Sequence, residues 1–264
     1  MDLFELGDMD ECRMEMARHA RMAEELRLPS FRWYAPLWAA TGAMLAGRFA
    51  AAERLLAEAR AAGARAGDGN AELFPAMVDE FGKIERLEFD RCDRAFLEEK
   101  IAGSPAGPAY EAYLIWILAG LGRMDDARRR LGPWMRRGPA FDANWLSAQA
   151  EAAEAVALLG DRAHAAVLYD RLAPYAGRPA TSGRAVSSYG SVDRQLGALA
   201  AVLGRREDAI RHLRAAIARD AELGCLVWRL HGLRALHALA PDDPVAAGVS
   251  VEARALGLPQ LAPV

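Results

Sequence analysis

SVDRQLGALAAVLGRREDAIRHLRAAIARDAEL, residues 191–223, is the stretch that decides the fold. Its first half completes an alanine- and leucine-rich helix read over about 186–203. Gly204 stops that helix, because a residue without a Cβ enters the left-handed turn at little cost. The second half sets Ala209, Ile210, Leu213, Ala216 and Ile217 on one stripe at helical period. Glu207 and Asp208 stand at the positive N-terminus of this second helix, and Glu207 can pair with Arg211 one turn on. A lone helical hairpin cannot bury such a stripe, so the pattern predicts hairpins stacked on one another.

The same phrase recurs outward from this copy. Leu45-Ala46-Gly47-Arg48, Gly120-Leu121-Gly122-Arg123, Leu158-Leu159-Gly160-Asp161 and Val202-Leu203-Gly204-Arg205 each close an alanine-rich run, with glycine spacings of 75, 38 and 44 residues. A copy without glycine near Leu87 divides the longest spacing into 40 and 35. A small residue follows each turn (Ala52, Ala127, Ala165, Ala209), where two helices must approach closely. A degenerate sixth copy lies near the C-terminus. The expected fold is all-α, a right-handed solenoid of about thirteen helices in six antiparallel pairs. Residues 1–264 form one domain in this reading: a capping helix within 1–29 (Met9–Leu26), repeats over 30–240, and a terminal helix (Asp242–Leu256) with a tail over 241–264.

Composition agrees and removes several function classes. The chain has 57 alanines and 23 glycines in 264 residues, which favours helix. No apolar run approaches the ~20 residues of a membrane span. The acidic opening Met1-Asp2-Leu3-Phe4-Glu5 lacks the pattern of a signal peptide, so a cytoplasmic protein is expected. Cys12, Cys92 and Cys225 are far apart and odd in number, which speaks against a disulfide framework. Basic charge comes from 31 arginines and two lysines, the mark of a GC-rich genome rather than of a nucleic-acid surface, because the net charge is −3.

Leu196-Gly197, Gly204, Ala209, Leu213 and Ala216 match the spacing of the tetratricopeptide repeat, with aliphatic residues in place of aromatic ones. Three longer runs extend the likeness: Leu172–Arg178, Gly190–Gly197 and Leu199–Arg205. With Phe31-Arg32-Trp33-Tyr34 and Gly47-Arg48-Phe49, they resemble the helical C-terminal region of large actinobacterial regulators, the LuxR-type and adenylate-cyclase-linked ATPases. The modules that give those proteins their activities have no counterpart in the sequence. Lys83 and Lys100 are each followed by isoleucine, so no phosphate loop is present, and no helix-turn-helix follows the repeats. Binding of ATP or DNA is therefore not expected.

Chemistry-bearing motifs are sparse. His19, His164, His212, His231 and His237 include no pair at the i, i+4 spacing of a helical metal site, and no Cys-x-x-Cys occurs, so neither metal nor cofactor is expected. Ser182, Ser187, Ser188 and Ser191 have no neighbouring histidine, and Cys92 and Cys225 read as inert buried thiols. No catalytic residue can be named.

The tetratricopeptide likeness implies instead a concave groove lined by the first helix of each pair. Carried onto this chain, it places Tyr34, Thr41, Trp116, Glu154, Ser191, Arg194, Trp228 and His231 on the inner face, over small residues such as Ala112, Ala119 and Ala150. Against this, Trp116 and Trp228 can be core between repeats, and Glu154 and Arg194 can be an ion pair. Gly177–Arg184, with two glycines, a proline and the arginines Arg178 and Arg184, reads as a lid or binding loop. The first function expected is a regulatory scaffold that binds a peptide or partner protein. The alternatives are a small-molecule sensor and an enzyme of secondary metabolism that has recruited the groove. The expected ligand is amphipathic, with an acidic group at Arg194 and an apolar part at Trp116 or Trp228. An apolar stripe of Val245, Val249, Leu256 and Leu258 at the C-terminal end suggests a weak homodimer.

Overall fold

The computed structural model describes residues 2–263, so Met1 and Val264, assigned above to the capping segment and the tail, lie outside the described residues. Among the described residues the fold is all-α apart from one small hairpin. Three N-terminal helices, α1 (Asp2–Leu6), α2 (Met9–Glu25) and α3 (Pro29–Arg32), precede a regular alternation. The first pairs are α4 (Tyr34–Leu45) with α5 (Phe49–Ala66), α6 (Asn70–Glu85) with α7 (Arg94–Gly103), and α8 (Gly107–Gly120) with α9 (Met124–Arg137). Next come α10 (Trp145–Leu159) with α11 (Arg162–Leu172), and then strands β1 (Pro179–Ser182) and β2 (Ser187–Ser191). The chain continues through α12 (Val192–Val202), α13 (Arg206–Leu223), α14 (Leu226–Leu239) and α15 (Val249–Ala255).

Two kinds of helix alternate, and residue type separates them. Helix α8 is apolar around its whole circumference, and Ala112 through Ala119 are all buried. Such a helix has to lie inside. Helix α9 buries only Ala127, Leu131, Trp134 and Met135 and turns its arginines outward. The even-numbered helices from α4 to α14 form the inner set: α4 packs on α6, α8 on α10, and α10 on α12. The last elements return to the first. Helix α14 touches α4, His231 meets the Glu85 carbonyl at 2.9 Å, and Gln260 donates to the Arg86 carbonyl at 3.2 Å.

The recurrent turn has a backbone cause. Gly47, Gly122, Gly160 and Gly204 all have φ between 63° and 78°. At the copy without glycine, Leu87 itself adopts φ 61°, a conformation that costs a non-glycine residue about 1–2 kcal/mol.

Boundaries differ from expectation in two places. The helix read from residue 186 begins at Val192, capped by the Ser191 side chain on the Asp193 N–H. Serine and glycine at 187–191 favour extended and capping conformations over helix. The terminal helix starts at Val249 rather than Asp242. Pro244 cannot continue a helix, and Asp243 caps the Val245 N–H at 2.9 Å in a turn. Val249 and Leu258 are buried in a cluster with Val227, Leu230 and Leu233, packed also against Phe49 and Leu87. Of the C-terminal stripe, Val249 and Leu258 are thus covered within the chain, Leu256 is half-buried and Val245 stays exposed.

The largest departure is the segment read as a lid. Residues 179–191 form an antiparallel hairpin, pairing Thr181 with Ser188 and Ser182 with Ser187, and it enters the space between the inner helices. Strand β2 is buried at every position and touches α6, α10, α12, α13 and α14. Gly190 makes this possible. With φ 68°, a Cβ there would stand 2.6 Å from Asp220 Oδ1 and 2.8 Å from Trp228 Cβ.

Candidate functional site

The residues assigned to the groove face inward, and most of them hold the hairpin. Thr41 Oγ1 donates to the Val186 carbonyl at 2.9 Å, and Trp228 Nε1 donates to the Ser188 carbonyl at 2.7 Å. The Tyr34 hydroxyl accepts from Arg184 at 3.0 Å. The Ser191 N–H donates to Asp220 Oδ1 at 2.6 Å. Arg194 is 5% exposed: it pairs with Glu154 at 2.6 Å, donates to the Tyr189 carbonyl at 3.2 Å, and lies over the Trp228 ring at 4.5 Å.

The tryptophans are core. Trp116 and Trp228 sit 6.3 Å apart, with the Tyr189 ring 5.7 Å and 6.0 Å from them. His231 is half-buried, 4.9 Å from Trp228, and desolvation together with Arg194 holds its pKa down to about 3. The acidic ligand group expected at Arg194 therefore finds that guanidinium already engaged. Of the lid arginines, Arg178 is exposed, and Arg184 stands at the hairpin turn, where its carbonyl accepts from Trp38 Nε1 at 3.0 Å. The hairpin is packed among the helices instead of closing over them.

Open space remains on either side of that turn. One cavity, of about 500 Å³, lies between α1, α2 and the turn, lined by Phe4, Cys12, Met16, His19, Trp38 and Arg184. The other, of about 230 Å³, lies among α6, α8, α10 and the hairpin. Its floor is buried: Phe81, Tyr113, Glu151 and Val186. Its rim is Ser104, Asn144 and Ser182–Arg184, where Asn144 fixes the turn by accepting from the Gly183 N–H at 2.9 Å.

This second cavity has the makeup of a ligand site, apolar walls with few polar groups. Glu151 Oε1 accepts from the Tyr189 hydroxyl at 2.5 Å, while Glu151 Oε2 and the Tyr113 hydroxyl are buried without a partner. Unsatisfied buried polar atoms are costly, by about 1–3 kcal/mol each. Sequence reasoning missed both residues by one helical turn. Glu151 precedes Glu154, and Tyr113 precedes Trp116, by three positions on the same helices.

Burial raises the pKa of Glu151 and of Glu85 to about 8 and that of Asp220 to about 7. The folded state then binds more protons than the unfolded one from about pH 4.5 upward. Stability is full below that pH and is lost as pH rises through 7–8, by about 1.4 kcal/mol per pH unit for each group titrating alone. His231 acts oppositely, costing stability as pH falls from 6.5 toward 3. Urea midpoints should fall between pH 6 and pH 9, and less steeply in Glu151→Gln. A flat wild-type profile would mean that these carboxyls are not buried.

Among the described residues, no three His, Cys, Asp or Glu side chains come together as a metal group. Burial raises the Cys92 thiol to about 12 and Cys225 well above its usual range, so neither offers a thiolate at neutral pH. Among the described residues no helix is long and apolar enough to cross a membrane. No protein-family model, curated protein or solved structure matches the chain.

Proposed function

We propose that the protein is a helical-repeat ligand-binding domain, a right-handed tetratricopeptide-like solenoid whose site is the 230 Å³ cavity under its own hairpin. One observation carries this reading: an apolar cavity floored by a buried carboxyl and a phenol, each keeping a polar atom that no protein group satisfies. A cavity of ~150 Å³ already admits benzene, so this one holds a molecule of about ten non-hydrogen atoms. The peptide-binding scaffold expected from the groove positions is the weaker reading, because Thr41, Arg194 and Trp228 give their hydrogen bonds to hairpin carbonyls. The small-molecule sensor takes its place, in keeping with the likeness to regulator tails and with a cytoplasmic setting.

Filling the cavity tests the reading. Ala109 lines it and is only partly buried, so Ala109→Trp places bulk in the space without opening the core. A probe such as 2-phenylethanol at 100 times its Kd should stabilise the wild type by about 2.7 kcal/mol, a rise of several degrees in Tm. It should leave Ala109→Trp unmoved. Equal shifts in both proteins would place binding elsewhere.

A further inference from the structure

Among the described residues, three of the six buried carboxylates are paired with basic groups and three are not. Glu80 pairs with Lys83, Asp243 with Arg214, and Asp193 with His212 at 2.7 Å. Glu85, Glu151 and Asp220 each keep a buried oxygen without a partner, and of the three Glu151 alone lines one of the two cavities beside the hairpin turn. Glu151 is 3% exposed, its Oε1 accepts from the Tyr189 hydroxyl, and it shares the cavity with Tyr110 and Tyr113. Arg184, on the wall of the same cavity, is turned to the Tyr34 hydroxyl at the exposed turn. A carboxyl without a basic partner is expensive in the interior, and at Glu151 a cavity stands beside it.

What surrounds Glu151 completes the pattern. Phe74, Phe81, Tyr110 and Tyr113 line the cavity with it, and Phe81 and Tyr113 meet edge to face at 5.1 Å. Aromatic faces carry negative potential and attract cations, most strongly where water is excluded. A carboxyl on the floor and four rings on the walls are complementary to a positive charge attached to an apolar body. We propose that the cavity takes a small organic cation, an aryl- or alkylamine, whose ammonium group pairs with the Glu151 carboxyl while its apolar part lies among Phe74, Phe81, Tyr110 and Tyr113.

On binding, the ammonium ion replaces the proton of the Glu151 carboxyl. The Glu151 proton leaves to solvent, and the amine keeps its own. The Tyr189 hydroxyl goes on donating to Oε1, a charge-assisted bond once the carboxyl is ionised. This inference rests on the pocket reading above and adds the charge of the ligand.

The test is calorimetry at pH 7 with 2-phenylethylamine and its neutral counterpart 2-phenylethanol, which differ in little but the charged group. The amine should bind at least about tenfold more tightly than the alcohol, and Glu151→Gln should lose that preference while still binding the alcohol. Repeating the wild-type titration in buffers of different ionisation enthalpy gives a readout that needs no variant. Close to one proton should be released per bound amine, and none with the alcohol. Alcohol binding as tight as the amine, or amine binding without proton release, overturns the cation while leaving the pocket. Failure of both probes to bind overturns the pocket as well.

Discussion

Arg194→Ala will destabilise the protein by about 3–5 kcal/mol, the usual effect of removing one partner of a buried ion pair. The sequence alone suggests the opposite, since an arginine exposed in a groove contributes little to folding. Its environment reverses the sign of the expectation. Truncation leaves Glu154 facing only Gln195 at 3.1 Å, the Tyr189 carbonyl without its donor, and the Trp228 face uncovered. Arg194→Lys restores charge but not the two-pronged reach, and should recover only part of the loss. Denaturant unfolding of the three proteins checks this, and a loss below about 1 kcal/mol for Arg194→Ala would place the guanidinium in solvent.

Tyr189→Ala should cost as much or more. The ring is 1% exposed and packs against Phe81, Trp116 and Trp228, and large-to-small changes at such sites cost about 3–5 kcal/mol. Loss of the hydroxyl adds a second effect, because Glu151 then keeps neither oxygen satisfied. Tyr189→Phe separates the two. It should lose only about 1–3 kcal/mol, with the ring contacts intact. A near-neutral Tyr189→Ala would show that the hairpin is a removable flap and not part of the core.

These two residues mark where sequence reading succeeded and where it stopped. Helix periods and turn glycines are local signals, so the alternation of helices was legible, including the copy near Leu87 where glycine is missing. Thr41, Trp116, Arg194 and Trp228, singled out from the sequence, are all buried and all contact the hairpin. The hairpin itself was not legible. Ser187-Ser188-Tyr189-Gly190-Ser191 looks like a helix start or a surface loop, because its strand is stabilised by contacts from helices far away in sequence. The pairing of Arg194 with Glu154 joins positions forty residues apart, and spacing alone leaves it an alternative to ligand binding. Glu151 hid in an alanine run one turn before Glu154, where a carboxylate reads as an ordinary solvated face.

The C-terminal end shows the same limit. Val249 and Leu258 look unpartnered along the sequence and suggest self-association. Their partners, Phe49 and Leu87 among them, come from the opposite end of the chain, and no local pattern announces that return.

The most direct test of the account is where a small ligand binds. Methyl-labelled protein titrated in turn with 2-phenylethylamine and 2-phenylethanol should show shifts at Leu73, Met77 and Val186, which line the cavity under the hairpin. The exposed methyls of Met14 and Met22 on α2, and of Val167 on α11, should stay unmoved. Shifts confined to those exposed positions, or none at millimolar concentrations of either probe, would contradict the account.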